Sequence, residues 1–491
     1  MNILVIDVGT SSIRGVLYDP RGQELFVHQI GYQVHFFGEI YAEQPASDWA
    51  ETIVEISRET VKFCEGKGLR IGGLALTSQR SSIIPVDRDG KALRPAIMWQ
   101  DKRNGEIVAR MQSHVPFVHS LTGARINTVF SGTKMTWFRR NEPELYEKTY
   151  KICTIADFIV HEITGQYRTD HTYGARSLLM NIRTRQWDRR LLDLFEVEED
   201  KLCQLVEPGS VIGSVTEEFA EKTGLPMGIP LVSGGGDQQC GALGQGVTGS
   251  GKVELTTGTG AFMLGFCDRV PEGLQGNIIC GAHAVPGAYV LESSMLACAA
   301  MYNWAKRELF PDSDPEQPFA KINGAVESSP AGANGCLALP YFQGRGTPDW
   351  NSFAKGAFVN LSLGTTRADM VRAVLEAIAL EAKNNIDVME GYAGSFSEIY
   401  IGGGLTHFDA FNQIQADVYQ KTLLKETGSA EATAYGAWLG AVVALGLMPD
   451  YDTAFAARQR EYRRFAPDPK NKEIYTLRQE QLNDAYRKLY G

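Results

Sequence analysis

Two glycine-dense stretches near the middle of the chain flank a single carboxylate. Ser233-Gly234-Gly235-Gly236-Asp237-Gln238-Gln239-Cys240-Gly241-Ala242-Leu243-Gly244 is followed shortly by Leu255-Thr256-Thr257-Gly258-Thr259-Gly260. Glycine lets the backbone come close to a bound group, and successive backbone amides cradle anions such as phosphate. Asp237, held between such turns, is the candidate general base for phosphoryl transfer to a small molecule. A second candidate lies near the N-terminus, where Asp7-Val8-Gly9-Thr10-Ser11-Ser12 offers a glycine and three hydroxyls beside one carboxylate. This set suits a phosphate with hydrated magnesium: Asp7 at the metal shell, Thr10, Ser11 and Ser12 as hydrogen-bond donors, Arg14 near phosphate charge. The same residues also describe an ordinary hairpin turn capped by Asp and Ser.

The surrounding pattern supplies elements to hold these groups. Ile3 to Ile6 and Ile13 to Tyr18 read as buried strands, Asp19-Pro20-Arg21-Gly22 as a turn, and Gln23 onward as a third strand. Shifting the sequence by 249 places Gly258-Thr259 on Gly9-Thr10 and Asp268 on Asp19, with an apolar run between them in both copies. Each half thus begins with strand, Gly-Thr turn, strand and acidic turn. Such a duplication resembles the actin, sugar kinase and chaperone ATPase superfamily, in which two halves present phosphate-facing hairpins to a shared cleft.

Ser47 to Phe63 has helical spacing, with Ser47 as N-cap and Trp49, Ile53, Ile56 and Val61 facing a core. Ile71 to Thr77 returns as a strand and ends in Ser78-Gln79-Arg80-Ser81-Ser82, and ligands of open α/β sheets are met at strand ends. Trp99-Gln100-Asp101-Lys102-Arg103 carries an aromatic plate between charges. It fits equally a plate stacking on a carbon skeleton with Asp101 bonding its hydroxyls, and a half-buried Trp beside a surface ion pair. Asp157, ahead of an apolar stretch, reads as an N-cap. Further on, Ala368 to Val388 is an amphipathic core helix. Ile399-Tyr400-Ile401 runs into Gly402-Gly403-Gly404 and a helix from Ala410, a turn that lets a nucleotide lie against backbone. Glu431 to Ala437 opens a small-residue helix expected to pack behind that turn.

Bulk properties bound the alternatives. At 491 residues the chain outgrows one core, so two domains are expected, residues 1–244 and 245–491. Net charge is −10, from 48 Lys and Arg against 58 Asp and Glu, which argues against a nucleic-acid surface. The eight cysteines show no CxxC pair, so neither zinc nor a disulfide framework is expected and a reduced cytoplasmic protein is the plain reading. His114 and His119 lie five apart and share no helical face, which disfavours a metal pair. No apolar run reaches spanning length, and the N-terminus lacks a signal-type apolar core; a soluble protein away from membranes is expected.

Taken in order, these motifs resemble the FGGY family of carbohydrate kinases over nearly the whole chain. Asp7 to Arg14 is similar to the first phosphate motif and Phe130-Ser131-Gly132-Thr133-Lys134-Met135-Thr136-Trp137 to the N-terminal signature. Thr164-Gly165 through Thr169-Asp170 to Trp187-Asp188 is similar to the segment after it. Gly236-Asp237-Gln238 resembles the catalytic-base motif, Thr257-Gly258-Thr259-Gly260 the second phosphate motif and Gly402-Gly403-Gly404 the adenosine motif. Gly356-Ala357-Phe358 to Glu376 resembles the C-terminal signature, with Asn360 where glycine is usual.

The resemblance implies an α/β fold of two ribonuclease H-like domains of the actin/hexokinase type around a central cleft, and ATP-dependent phosphorylation of a sugar or polyol. It implies Asp237 as base, Asp7 and Asp237 toward Mg2+, and Gly9, Thr10, Ser11, Ser12, Arg14, Gly258, Thr259, Gly402, Gly403 and Gly404 toward ATP. Gln79, Arg80, Ser81, Trp99, Asp101, Asp237, Gln238 and Phe262 would face the acceptor, and a homodimer is implied. Glycerol kinases of the family usually carry Gln-Arg-Glu after the strand and Tyr before the Phe-Ser-Gly-Thr-Lys segment; here Ser81 and Val129 stand at those places. A lost partner for a substrate hydroxyl costs about 1 to 3 kcal/mol, which counts against glycerol and favours a larger polyol or ketose. The xylulokinase Met-His-Gly is absent as well, since Gln79-Arg80-Ser81 occupies its place. A nucleotide switch of the actin or chaperone type, and a catalytically silent binding module, are the rival classes; the sugar-side residues speak against the first and the intact Asp237 against the second.

Overall fold

The structure, a computed structural model, describes residues 1–428 and 431–491. The chain forms two compact units. One gathers Met1–Gly249, Cys267–Val290 and Ala430–Gln459; the other gathers Ser250–Phe266, Leu291–Ser429 and Arg460–Gly491. A single break at 244/245 therefore leaves two later segments, 267–290 and 430–459, that the fold assigns to the first unit.

The first unit is built on a sheet of β1 (Asn2–Val8), β2 (Ser12–Tyr18), β3 (Glu24–Gly31), β4 (Ile71–Ser78), β5 (Val211–Ser214) and β6 (Pro230–Gly236), in the order β5-β6-β4-β1-β2-β3. β1, β4 and β6 are parallel, while β2, β3 and β5 run antiparallel to their neighbours. Strand periodicity sends alternate residues to opposite faces. Leu4, Ile6, Val8, Ile13 and Leu17 pack with Trp49, Ile53 and Ile56 of the helix Ala46–Lys67. Ile3, Val5, Val16 and Tyr18 pack with Tyr435 and Trp438 of the helix Ala432–Ala444. Burying a large apolar side chain stabilises by roughly 1.5 to 3 kcal/mol, so both faces of β1 and β2 are firmly anchored.

The Ala432–Ala444 helix, expected from its sequence position to pack behind the Gly402 turn, lies within the first unit against the helix Asp237–Gln245. Small residues permit the approach. A Cβ on Gly244 would stand 1.8 Å from the Ala432 carbonyl oxygen, and one on Gly436 would stand 1.9 Å from that of Cys240. The helix that begins with Asp237 is thus seated by a segment almost two hundred residues away in sequence.

In the second unit β7 (Lys252–Thr257), β8 (Ala261–Cys267), β9 (Glu398–Gly402), β10 (Leu423–Glu426) and β11 (Tyr462–Phe465) follow the order β8-β7-β9-β10-β11. β7 pairs antiparallel with β8 and parallel with β9, as β1 pairs antiparallel with β2 and parallel with β4. The 249-residue echo is therefore a repeat of topology as well as of residues. The helix expected over 368–388 spans Arg367–Ala393, started by a capping box between Thr366 and Asp369.

Two expected caps differ in detail. The Ala46–Lys67 helix starts after Pro45 rather than Ser47. Asp157 is the third helical residue of Ile155–Thr164 and completes a capping box with Thr154 as N-cap. Both differences arise because extended backbone just outside the helix, not side-chain type alone, defines the cap. Among the described residues no helix is long and apolar enough to cross a membrane.

Candidate active site

β1 and β2 place Asp7 directly opposite Arg14, and the turn between them closes with the Gly9 amide donating to the Ser12 carbonyl at 2.9 Å. The turn is tied down from outside. The Gly9 carbonyl accepts from the Tyr32 hydroxyl and from Gln79 Nε2 at 3.0 Å, and the Tyr32 amide donates to the Ser11 carbonyl at 3.0 Å. Trp99 Nε1 donates to Thr10 Oγ1 at 3.2 Å, while the Trp99 amide donates to Ser82 Oγ at 3.0 Å. Gln79 and Trp99, both expected to face the acceptor, thus bond to the Gly9–Thr10 turn; Gln79 Oε1 is buried and has no hydrogen-bond partner among the described residues.

Asp237 occupies the first helical position after Gly236. Its Oδ1 accepts the Gln238 amide at 2.8 Å and lies 3.3 Å from Arg80 Nε, and its side chain is 28% exposed. Arg80 also donates to Gln239 Oε1 at 3.1 Å. Glycine at 236 is required by this pair, since a Cβ there would stand 2.5 Å from Arg80 Cδ. Gln238 is exposed, and Ser81 is buried at 3% exposure in the left-handed region, with φ 74°.

Asp7 is buried, and its carboxylate makes no hydrogen bond or ion pair among the described residues. Burial first, and then the nearby Asp237 charge, push its carboxyl up to about 7, against the opposing pull of Arg14. A carboxylate in such a place calls for a cation. Magnesium characteristically keeps several waters and takes only one or two protein carboxylates together with substrate phosphates, so Asp7 and Asp237 fit it.

Arg14 is not held open. It pairs with Glu431, at the start of the Ala432–Ala444 helix, and its Nε donates to Gln29 Oε1 at 3.1 Å. Gln29 in turn donates to Ser12 Oγ at 2.8 Å. Glu431 opens a helix in the sequence, and nothing local in the chain links it to Arg14.

Asp101 departs from expectation. Both its oxygens accept from Arg103, each at 2.8 Å, and Oδ2 also accepts the Ala42 amide at 2.7 Å; its side chain is fully buried. Arg103 further pairs with Glu43 and stacks on Tyr41 and Trp137. Asp101 is therefore spent on a buried ion pair and is not presented to an acceptor, a correction to its assignment as a substrate ligand. Nor is the ion pair on the surface, as the alternative reading had it.

Lys134 also escaped notice beyond its place in a motif. It is buried, which lowers its ammonium to about 7, and it donates to the carbonyls of Thr128, at 2.6 Å, and Val129. It so fixes the loop that carries Val129, which is 37% exposed.

In the second unit the turn at Gly258-Thr259-Gly260 rests on the start of the helix Ala299–Leu309. The Thr259 carbonyl accepts the Cys298 amide at 2.8 Å and the Gly258 carbonyl accepts the Ala299 amide at 2.9 Å. Parallel pairing sets Thr256 opposite Gly402, and Thr257 Oγ1 donates to the Gly402 carbonyl at 3.0 Å. The two glycine turns are thus neighbours at one end of the sheet. Gly403 has φ 90°, and a Cβ there would stand 2.4 Å from the Thr257 carbonyl oxygen, so glycine is obligatory. Gly404 is exposed, and Phe262, on β8 beside the turn, is 49% exposed.

Residues 2–244 match the N-terminal domain, and residues 253–445 the C-terminal domain, of the FGGY family of carbohydrate kinases. The chain is 27% identical to a xylulose kinase of Bacillus subtilis over 99% of this chain and 96% of that protein. It is 30% identical to a glycerol kinase of Thermococcus onnurineus over 91% and 89% of the respective chains. A crystal structure of xylulose kinase from Rhodospirillum rubrum superposes with a TM-score of 0.94 at 25% identity, covering 100% of this chain and 99% of that one. With both domain matches in sequence order and a duplicated strand-turn-strand at each phosphate motif, the chain belongs to the FGGY family of carbohydrate kinases, whose reaction is the ATP-dependent phosphorylation of a sugar or polyol.

Proposed function

We propose that this kinase phosphorylates a hydroxyl of a pentose-type polyol or ketose, with Asp237 as general base. The observation that carries the reading is the placement of Asp237. It stands as the first residue of a helix, partly exposed, with its carboxylate steadied by Arg80 and by the amide of Gln238. The acceptor hydroxyl gives its proton to Asp237 as its oxygen attacks the γ-phosphorus of ATP, and the bond from that phosphorus to the β,γ-bridging oxygen breaks to release ADP. Gly9 to Ser12, Arg14, Gly258, Thr259 and Gly402 to Gly404 are the groups offered to the nucleotide. Mg2+, held through Asp7 and Asp237, would neutralise phosphate charge.

Ser81 and Val129 support an acceptor larger than glycerol, because neither supplies the acid and phenol that grip a small triol. Glycerol is the second reading, favoured by Gln79, Arg80 and Trp99 and by the 30% identity to a glycerol kinase. A homodimer and a cytoplasmic setting complete the proposal; the eight cysteines, all buried free thiols, suit a reducing compartment.

Incubation with Mg-ATP and a panel of polyols and ketoses, glycerol included, with ADP release followed, tests the reading. Stimulation by a pentitol or ketopentose is expected. ADP release that no acceptor stimulates would instead support a nucleotide switch. Asp237→Asn should keep ADP binding while transfer falls by about 100- to 10,000-fold, and an active Asp237→Asn protein removes the base assignment.

A further inference from the structure

One peptide back from Asp237, across Gly236, lies the peptide that joins Gly235 to Gly236, and both of its polar groups are gripped by one short segment. The Tyr173 hydroxyl donates to the Gly235 carbonyl at 2.9 Å. The Gly236 amide donates to Thr172 Oγ1 at 2.8 Å. Thr172 can accept that proton because its own hydroxyl proton goes elsewhere, to Asp170 Oδ1. Asp170 also takes the Thr172 amide at 2.7 Å on the same oxygen and the Ser233 hydroxyl on the other. Asp170, Thr172, Tyr173, Ser233, Gly235 and Gly236 are all buried.

This peptide needs an outside grip. The β4–β6 pairing shifts register between Ser233 and Gly235, and Gly235 sits at φ 111°, a conformation that side-chain-bearing residues rarely adopt. Thr172 and Tyr173 hold both polar groups of this peptide, and its orientation reaches Asp237 through Gly236, the N-cap of the helix, at φ −63° and ψ 150°.

We propose that Thr172 and Tyr173, with Asp170 behind Thr172, are positioning residues that lock the Gly235–Gly236 peptide and thereby aim the Asp237 carboxylate at the acceptor hydroxyl. The inference rests on Asp237 being the base. None of the three touches reactants; they act on the direction of proton transfer, so their loss falls on turnover more than on binding.

Thr172→Val keeps shape and removes the acceptor, while Thr172→Ser keeps the hydroxyl. With ATP and the best acceptor of the panel, Thr172→Val is expected to lower kcat about 10- to 100-fold, the scale of a reacting group displaced by a fraction of an ångström to an ångström. KM for ATP should stay within about twofold of the parent, and Thr172→Ser should restore kcat to within about threefold, as a hydroxyl-specific role requires. A folded Thr172→Val protein with parental kcat overturns the proposal, and so does a Thr172→Ser protein as slow as Thr172→Val. Should Thr172→Val fail to fold, Tyr173→Phe carries the test: reduced kcat at unchanged KM supports the clamp, parental kcat refutes it. Asp237→Asn measured alongside separates the two readings. If Asp237→Asn remains active the base assignment itself falls, whereas an inactive Asp237→Asn with a fully active Thr172→Val overturns the positioning role alone.

Discussion

Asp7 allows a test of the metal site that needs no turnover. Replacing it by Asn removes the charge while nearly keeping the shape. In the folded chain burial and Asp237 hold the Asp7 carboxyl at about 7, against an ordinary value of 3.8. The sign follows from linkage: between these values the folded state binds a proton that the unfolded state has lost, so stability falls as pH rises. The contribution is fully present below the unfolded value and is lost as pH rises through the folded one. At about 1.4 kcal/mol per pH unit over the interval, the penalty for ionised Asp7 approaches roughly 4 kcal/mol above pH 8, of which about 2 to 3 kcal/mol accrues between pH 5 and pH 8. Asp7→Asn lacks this term. Denaturant unfolding of both proteins in EDTA, at pH 5 and pH 8, reads it together with its coupling to Asp237, because groups that do not interact with Asp7 cancel in the difference. The Asn protein should gain stability over the parent by that amount on going to pH 8, and Mg2+ should raise ADP affinity in the parent but not in the variant. A difference independent of pH would refute the picture of a desolvated, cation-seeking carboxylate.

Three further outcomes follow from the packing. Asp101→Ala should destabilise by about 1 to 3 kcal/mol, because the buried Arg103 loses two of its hydrogen-bond partners and keeps only Glu43, while Asp101→Asn that folds should leave the acceptor KM unchanged; thermal unfolding and steady-state kinetics read the two. Gly436→Ala should cost at least about 1 to 3 kcal/mol, since the new methyl meets the Cys240 carbonyl, and its lower melting point should come with a lower kcat as the Asp237 helix is pushed. Ser81→Glu with Val129→Tyr should raise kcat/KM for glycerol relative to larger polyols; Val129 has room at the surface, whereas Ser81 is buried and its replacement alone should also lower the melting temperature. Unchanged preference would place specificity elsewhere.

What the sequence made legible was what short stretches of chain decide by themselves. The Gly-Thr hairpins, the strand into Gly236-Asp237 and the glycine turn after Ile401 are each written in consecutive residues, because a tight turn or a close approach demands glycine at a particular place. Their chemistry could be named before their neighbours were known. The role of Asp101 could not: its reading as a ligand and as an ion pair differ only in burial, and burial depends on Ala42, Tyr41 and Trp137, which no spacing rule connects to it. Arg14 is a similar case, since its partner Glu431 arrives from a segment 417 residues further along.

The return of residues 430–459 to the first unit is the largest thing the linear reading missed, and it bears directly on Asp237. Signals for it were present in the small residues of both helices, Gly241 and Gly244 in one, Ala432, Gly436 and Gly440 in the other. Small residues spaced three or four apart create a flat helix face, but they do not say which partner lies against it. The partner is decided by volume: Tyr435 and Trp438 complete the apolar layer over Ile3, Val5, Val16 and Tyr18, a layer that the first 249 residues cannot fill alone. Closing that layer brings Gly436 against Cys240 and seats the helix whose first residue is Asp237, while the helix start places Glu431 beside Arg14. The proposed base, Asp237, and the guanidinium beside the Gly9–Ser12 turn are therefore set by one packing event. A lesion in the Ala432–Ala444 helix should accordingly disturb both, lowering kcat and nucleotide affinity together, where Thr172→Val disturbs kcat alone.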